Sequence, residues 1–254
     1  MFADERRGKI AEMIQRNNSV STSELTEIFQ VSLETVRRDL ESMEKDGLLK
    51  RVHGGAVSAR KLQRYNDLSR RSTEHQNEKR KLSSAACAYI NNGDHIALDE
   101  GTTAFELAKL IRERFQELTV LTNSLEVFEV LSENRGIQTI LTGGFYLPEE
   151  KSFYGHLAID MIHQFHVAKY FITPSAISLN FGISDHIHEL IGIQRAMLGI
   201  ADEIYVLVDS FKFETCAPIK ICDLDPEYTY LTDCGLSEEI FEAYQKVGIR
   251  IKRS

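Results

Sequence analysis

The chain has 254 residues, of which 43% are hydrophobic and 27% charged, and its formal net charge is −8. This composition indicates a globular protein and excludes disordered and fibrous classes, while the length allows one large domain or an ordinary domain with a small one. No apolar run approaches the roughly 20 residues that span a bilayer, and the charged N-terminal MFADERR is unlike a secretory signal, so we expect a cytoplasmic protein with no membrane partner.

The first predicted elements are three short helices. The first spans about residues 3–15. Ser21 and Glu24 form a capping box for the second helix, with a hydroxyl at the cap and a glutamate three residues on. Ser32 caps the third helix, which we expect to end at Gly47. The helical spacing of apolar residues predicts one core that contains Ile10, Met13, Ile14, Leu25, Ile28, Phe29, Val36, Leu40 and Met43.

A basic hairpin follows the third helix. Lys50 and Arg51 lie between apolar residues on one arm, and Gly54 and Gly55 form the turn. The second and third helices are short and joined by a tight connection, and the third projects polar and cationic side chains. This is the helix-turn-helix arrangement, which enters the major groove of DNA. Asp39 is expected to orient an arginine or cap a neighbouring helix. We predict DNA contacts from Ser32, Thr35, Arg37, Arg38, Lys50, Arg51, His53 and Gly54.

The distribution of charge agrees with a DNA partner. Residues 1–80 carry 16 lysines and arginines against 13 acidic residues, whereas the remainder carries 14 against 25. A locally basic surface supplies phosphate contacts, and the acidic remainder limits non-specific binding. Because one helix-turn-helix buries little surface, we expect a homo-oligomer, dimer or tetramer, on repeated half-sites of a double-stranded operator.

The second half of the sequence predicts a different fold. Residues 59–80 are polar and are predicted to be a linker, which can include helix, between a head at 1–58 and a domain at 81–254. Its Arg70–Arg71 pair is interpreted as a solvated face. Beyond it, short apolar runs alternate with helical patterns, which indicates βαβ units and a largely parallel sheet covered on both faces. The predicted fold class is α/β, a winged helix-turn-helix followed by a larger α/β domain.

Small polar residues follow several of the predicted strands, at the edge where an open α/β sheet binds ligands. The loop 99–103 opens a helix whose free N–H groups and dipole favour an anion. Polar loops also follow later strands at 122–124, 142–144 and 209–213, and the last contains Lys212, a point charge for phosphate. Each loop alone is most often a helix cap or a turn. Together, at neighbouring strand ends, they indicate a binding pocket.

Two groups of motifs resemble one known family. Thr-Val-Arg-Arg-Asp-Leu at 35–40, followed by Lys-Arg-Val-His-Gly-Gly-Ala at 50–56, closely resembles the N-terminal signature of the DeoR family of bacterial transcription regulators. The D-x-G-T-T loop at 99–103, with the T-N-S, T-G-G and D-S-x-K-F runs, looks like the effector domain of that family. That domain is similar in fold to ribose-5-phosphate isomerase and glucosamine-6-phosphate deaminase. The resemblance covers nearly the whole chain.

The resemblance implies a sensor of a phosphorylated sugar and a repressor that the sugar releases from a carbohydrate-catabolism operon. It places the phosphate on Gly101, Thr102 and Thr103, with Lys212 contributing. The sequence departs from the family at 173–177, where a Thr-Pro-Ser replaces a Gly-Ala turn, and at 194, where glutamine replaces a lysine before Arg195. The remaining effector contacts that we carry over are Asp99, Thr122, Asn123, Gly143, Gly144 and Arg195.

Two other functions use the same residues. An isomerase-like enzyme needs a positioned base near a pocket cation, and Asp99, Asp185 and Glu189 fall into no active-site motif, so we predict no catalytic residue. An activator would bind DNA through the same surface, because the sign of regulation depends on where the operator lies.

Metal and cofactor sites are not expected. The cysteines lack C-x-x-C pairs and zinc-finger spacing, and we expect neither disulfides nor zinc. The histidines at 186 and 188, and those at 163 and 166, are interpreted as surface or loop residues rather than as metal ligands or an acid/base pair.

Overall fold

The computed structural model contains two compact units, which comprise residues 1–63 and 64–254. The structure describes residues 3–17, 19–45, 48–52, 54–58, 65 and 67–254. His53 and Gly47, which we predicted as a DNA contact and a helix end, lie outside the described residues. Within the described part of the chain, no helix is long and apolar enough to cross a membrane.

The first unit is a winged helix-turn-helix, as predicted. It consists of α1 (Ala3–Asn17), β1 (Ser19–Ser21), α2 (Thr22–Phe29), α3 (Leu33–Lys45), β2 (Leu49–Val52) and β3 (Gly55–Ser58). The three strands form an antiparallel sheet in the order β1-β3-β2. The predicted capping box is present at the start of α2, where Ser21 Oγ accepts a hydrogen bond from Glu24 N at 3.1 Å and Ser21 N donates to the Glu24 carboxylate at 3.5 Å.

The core of this unit is largely the predicted one. It includes Ile10, Ile14, Leu25, Phe29, Val36, Leu40 and Met43. The prediction for Ile28 is wrong, because 53% of this residue is exposed. The buried stripe of α2 follows the i, i+4 pair Leu25 and Phe29, and each helical residue is rotated by about 100° from the one before it. Ile28 therefore turns away from the core.

The second unit begins with two helices, α4 (Leu68–Thr73) and α5 (Gln76–Cys87), both of which start within the polar segment 59–80. Asp67 caps α4 by accepting a hydrogen bond from Arg70 N at 2.8 Å. The elements up to the middle of the domain are β4 (His95–Leu98), α6 (Thr102–Arg114), β5 (Leu118–Thr122), α7 (Leu125–Ser132), β6 (Ile137–Leu141), β7 (Phe145–Leu147), β8 (Ser152–Tyr154) and α8 (His156–Ile162).

The rest of the second unit contributes the last four strands of one large sheet and the three strands of a separate antiparallel sheet. It comprises β9 (Val167–Ile172), β10 (Ala176–Ser178), β11 (Gly182–Asp185), α9 (His188–Leu198), β12 (Ala201–Leu207), β13 (Ile219–Cys222), β14 (Thr229–Thr232), α10 (Glu238–Lys246) and β15 (Arg250–Arg253). Seven of the strands pair in parallel in the order β15-β14-β12-β9-β4-β5-β6. The parallel α/β fold is therefore confirmed.

Both faces of this sheet are buried. On β9, Tyr170 packs into one hydrophobic cluster and its neighbour Phe171 into the other, because successive strand residues point to opposite faces. From β4 the chain proceeds through β5 and β6 on one side, and β9, β12, β14 and β15 lie on the other. The order reverses between β4 and β9, and ligands of open α/β sheets bind outside the carboxyl ends of the strands at such a point.

Candidate functional site

The exposed face of α3 carries the predicted recognition residues. Arg37 and Arg38 are both exposed. Arg38 lies 3.5 Å from Glu34, an exposed i, i+4 pair that is easily exchanged for a phosphate or a base edge. Ser32 Oγ accepts a hydrogen bond from Thr35 N at 3.2 Å and lies 2.9 Å from Thr35 Oγ1. The Ser32 hydroxyl therefore caps the helix, as predicted, and the two arginines are left exposed on its surface.

The wing is tied to the helices at two points. Arg51 donates from its backbone N and its Nε to the Glu44 carboxylate, at 2.8 and 3.0 Å. Gly54 has a φ of +83°, a conformation that favours glycine, and its carbonyl accepts hydrogen bonds from Thr22 N and Oγ1 at 2.8 and 3.1 Å. Lys50 lies on β2 beside Arg51. These contacts fix the wing turn against the start of α2.

Asp39 is buried and pairs with arginines of α1, which is one of the two roles predicted for it. Its carboxylate is 2% exposed and accepts from Arg6 Nε at 2.5 Å and from Arg7 Nε at 3.2 Å. Asp39 therefore anchors α1 to α3 while the adjacent Arg38 points outward. The role of Arg6, itself buried, was not predicted, because no local pattern links residues 33 positions apart.

The predicted anion loop caps α6 at the carboxyl end of β4. Gly101 has a φ of +93° and precedes the first turn of α6, whose N–H groups have no partner within the helix. A Cβ at Gly101 would lie 3.7 Å from Thr173 Oγ1 and 3.9 Å from Arg71 Nη1. Thr102 is half-buried and Thr103 buried. An anion at this loop would therefore meet free N–H groups, a hydroxyl and a guanidinium.

Buried carboxyl groups lie below this loop. Asp99 Oδ2 accepts from Thr173 N at 2.9 Å and from Gln194 Nε2 at 3.4 Å, and the same Nε2 lies 3.4 Å from Asp185 Oδ2. Burial raises the pKa of Asp99, and burial together with the adjacent Asp99 raises the pKa of Glu100 well above its ordinary value. Two such neighbours do not both ionise readily, so Glu100 loses its proton at a higher pH than an exposed glutamate does.

Three cationic side chains lie close enough to one another, at this edge of the sheet, to interact electrostatically. Lys212 Nζ donates to Pro174 O at 2.9 Å. Lys79, which is 5% exposed, donates to the carbonyls of Glu74, at 2.7 Å, and Arg71. Burial, followed by the charge of Lys212, lowers the pKa of Lys79 to about 8. The guanidinium of Arg71 donates to the Glu150 carboxylate and lies 5.7 Å from the centre of the Tyr65 ring.

Arg71 corrects the interpretation of the Arg70–Arg71 pair as a solvated face. The side chain of Arg70 is 65% exposed and pairs with Glu74, whereas that of Arg71 is only 27% exposed. Neighbouring positions of a helix face different directions, and only Arg71 faces the domain. Neither Arg71 nor Lys79 was among the predicted site residues, because both lie outside the strand-end loops that the sequence identifies.

The neighbouring strand ends supply buried polar groups. Asn123 Oδ1, Thr142 Oγ1 and Asp209 Oδ1 are buried and have no hydrogen-bond partner among the described residues. Such groups are usually satisfied, so their presence at one sheet edge is typical of a ligand site. The hydroxyl of Thr122, by contrast, has a local partner, because its Oγ1 accepts a hydrogen bond from Ser124 N at 3.1 Å.

The two predicted glycines differ. A Cβ added at Gly143 would meet no atom within 4 Å. At Gly144, where φ is +116°, a Cβ would lie 2.5 Å from Tyr154 O. Gly143 thus borders open space, whereas Gly144 is required by close backbone packing.

The placement of Arg195 differs from the prediction. Arg195 is exposed and donates to Ile221 O and Lys220 O on β13, at 2.8 and 2.7 Å. Gln194, which is fully buried, reaches Asp99 and Asp185 instead. Consecutive residues of α9 are rotated by about 100°, so only one of the two can face the strand ends. Arg195 is therefore not brought to the cluster.

The histidine and acidic residues near α9 differ in exposure and in their contacts. His188 and Glu189 are exposed. His186 is half-buried, burial lowers its pKa, and its Nε2 has no partner among the described residues. Asp185 is occupied by structural bonds from Ser175 Oγ at 2.7 Å and His186 N at 2.6 Å.

A winged helix-turn-helix followed by an α/β domain with buried polar groups at its strand ends is the arrangement of a DNA-binding regulator with a sensor domain. The chain matches the family models of the DeoR-like helix-turn-helix domain over residues 6–61 and the DeoR C terminal sensor domain over residues 74–234. The chain belongs to the DeoR family of transcriptional regulators.

Several relatives extend along the whole chain. It is 34% identical over 251 residues to the uncharacterized HTH-type transcriptional regulator YulB of Bacillus subtilis (strain 168), covering 99% of this chain and 96% of that protein. It is 32% identical to the lactose phosphotransferase system repressor of Lactococcus lactis subsp. lactis, with 96% of each covered. A similar solved structure is ribose 5-phosphate isomerase A from Methanocaldococcus jannaschii, with a TM-score of 0.41, 16% identity and 55% of each chain covered.

Proposed function

We propose that this regulator represses a carbohydrate-catabolism operon in the cytoplasm and that a phosphorylated sugar releases it from its operator. The observation that carries the proposal is the loop at the start of α6, where Gly101 lies beside Arg71 and Thr173. Lys212 donates to the carbonyl of the next residue, Pro174. The lactose phosphotransferase system repressor is named for a sugar-uptake system, which supports a sugar-derived effector.

In this proposal the two ends of the effector meet different groups. The phosphate accepts hydrogen bonds from the N–H groups of residues 101–103 and pairs with Lys212, which is within reach as a point charge. Hydroxyl groups of the sugar donate to Asp99, Asn123 and Asp209, whose buried oxygens include unsatisfied acceptors. Gly143 leaves the open space that a sugar ring needs.

The DNA-binding unit contacts the operator through the exposed residues of α3 and the wing. Arg37 and Arg38 reach base edges or phosphates of the major groove, and Arg51 reaches the flanking phosphates. A homo-oligomer places two such heads on repeated half-sites. By linkage, the effector weakens operator binding by the same factor by which the operator weakens effector binding.

The test is fluorescence anisotropy with a DNA fragment from upstream of the protein's own gene, at two salt concentrations, with a panel of sugar phosphates. We expect one phosphorylated sugar to abolish specific binding, and Lys212→Ala to need more of it. Lys246→Ala, a change at an exposed lysine that pairs with Glu242 on α10, is the matched control. Specific binding that no sugar phosphate alters would refute the effector class.

The DNA contacts are tested in the same assay. Arg37→Ala or Arg38→Ala should weaken operator binding by about 1–3 kcal/mol where a base contact is lost, or reduce the salt dependence by about one charge where a phosphate contact is lost. Unchanged affinity and salt dependence in both variants would contradict the assignment of α3. A promoter fusion in cells distinguishes a repressor from an activator.

We also propose that the sensor domain does not turn over its ligand. The candidate bases are either buried in the Asp99 and Glu100 pair or, like Glu189, exposed to solvent. Isomerisation of a pentose or hexose phosphate by purified protein, lost on Asp99→Asn, would overturn this.

A further inference from the structure

Arg71 lies beside the loop at 99–103, which is the phosphate loop of the proposed function, yet it comes from α4, outside the loops of the sheet edge. Its Nη1 lies 3.9 Å from the position that a Cβ on Gly101 would occupy. Its Nη2 donates to Glu150, whose side chain is 2% exposed. One end of the guanidinium is thus held by a buried carboxylate while the other end faces the loop.

Arg71 is also fixed through its main chain. Its carbonyl, together with that of Glu74, accepts hydrogen bonds from Lys79 Nζ, so the buried lysine joins the end of α4 to α5. The Tyr65 hydroxyl donates to the same Glu150 carboxylate, and Arg71 lies over the Tyr65 ring. A guanidinium oriented before binding loses little entropy when it contacts an anion, and its flat fork presents several donors.

The surrounding charges favour an anion beside Arg71. Lys212 and Arg71 both act on Lys79 in the direction that disfavours its charged form, and the same two cations act on His186. Cations held this close repel one another. Asp209 and Glu74 offset part of this repulsion at Lys79, and an anion at the loop would offset more of it. If Arg71 served only to balance the charge of Glu150, its guanidinium would not have to lie beside the N-terminus of α6.

We propose that Arg71 completes the phosphate site: its Nη1 contacts the effector's phosphate beside Gly101 while its Nη2 stays on Glu150, which acts as a positioning residue. The inference rests on the proposed function and names a ligand of the same site. Its consequence is that bound effector fastens α4 to the phosphate loop. In chain order, α4 is the first helix after β3 of the DNA-binding unit, so this contact would lie in the part of the second unit that is nearest in sequence to the DNA-binding unit.

The experiment compares neighbouring arginines of one helix. Arg71→Lys keeps the charge beside Glu150 but loses the fork, and Arg71→Gln with Glu150→Gln removes both charges and leaves no uncompensated buried carboxylate. Arg70→Gln, at an exposed position, is the control. Inorganic phosphate and the sugar-phosphate panel are the probes. Binding is measured by calorimetry and by the shift of the thermal transition, and release of operator by anisotropy.

We expect the Arg71 variants to bind phosphate and sugar phosphate at least about tenfold more weakly than wild type, as for the loss of one charged hydrogen bond. Operator release should then need correspondingly more effector, with Arg70→Gln unchanged. Wild-type affinity in folded Arg71 variants would overturn the inference while leaving the proposed function intact. If neither phosphate nor any sugar phosphate binds the wild type, the phosphate site is wrong, and the proposed function and this inference both fall.

Discussion

Replacement of Asp39 by alanine should destabilise the DNA-binding unit far more than the loss of an exposed carboxylate would. Asp39 and Arg6 are 2% and 6% exposed, and their ion pair is 2.5 Å long. Removal of one partner of a buried ion pair costs about 3–5 kcal/mol, because the other charge stays buried. We expect the lower end, about 3 kcal/mol, since Arg7, the second cation at Asp39, is 34% exposed and can return to water. A small unit has little stability to lose.

Hydrogen exchange measures this effect locally, which matters because two units need not unfold together. In peptides that cover α3, about 3 kcal/mol corresponds to exchange about a hundredfold faster. Glu41→Ala is the control on the same helix: Glu41 is exposed and 3.4 Å from Lys45, and its loss should cost about 0.5 kcal/mol or less. Exchange in Asp39→Ala that matches the control, with operator affinity unchanged, would refute the reasoning about the buried pair.

Two predictions concern the α/β unit. Gly144→Ala should lower the free energy of unfolding in urea by on the order of 2 kcal/mol, because φ is +116° and the new Cβ would meet Tyr154 O. Gly143→Ala should have little effect, because a Cβ there meets no atom within 4 Å. Equal effects of the two changes would contradict the geometry. Glu100, whose pKa is raised by burial and by Asp99, keeps a proton in the folded state that the unfolded chain releases, so stability should fall as pH rises above about 4.5. Glu100→Gln should remove the larger part of that slope and leave the part that comes from Asp99. An unchanged pH profile would argue that Glu100 is ionised in the fold.

The architecture was largely predictable, because its signals are local. The capping box at Ser21 and Glu24, the i, i+4 pair Val36 and Leu40, and the apolar strand runs each determine structure within a few residues. Ile28 is an instructive failure. An apolar residue next to a true core residue is consistent with the helical pattern, and only the packing partner decides which one is buried.

The site was predictable only where it lies on strand-end loops. Gly101 and Lys212 were identified because the carboxyl ends of parallel strands meet at one edge. Arg71 could not be, because its role depends on Glu150, which is 79 residues away. Arg195 was wrongly predicted to face the strand ends, because the sequence alone favoured the charged residue of the pair. The turn of the helix instead directs the neutral Gln194 inward.

The two signature motifs divide their residues between anchoring and contact. In the recognition helix, Arg37 and Arg38 are exposed while the next residue, Asp39, is buried and held by Arg6. In the anion loop, Asp99 is buried and bonded to Thr173 N, and Gly101, two residues on, faces the cations. In both motifs a buried carboxylate within two residues fixes the backbone that presents the binding groups. Loss of the carboxylate should therefore impair binding without removing any group that contacts DNA or phosphate.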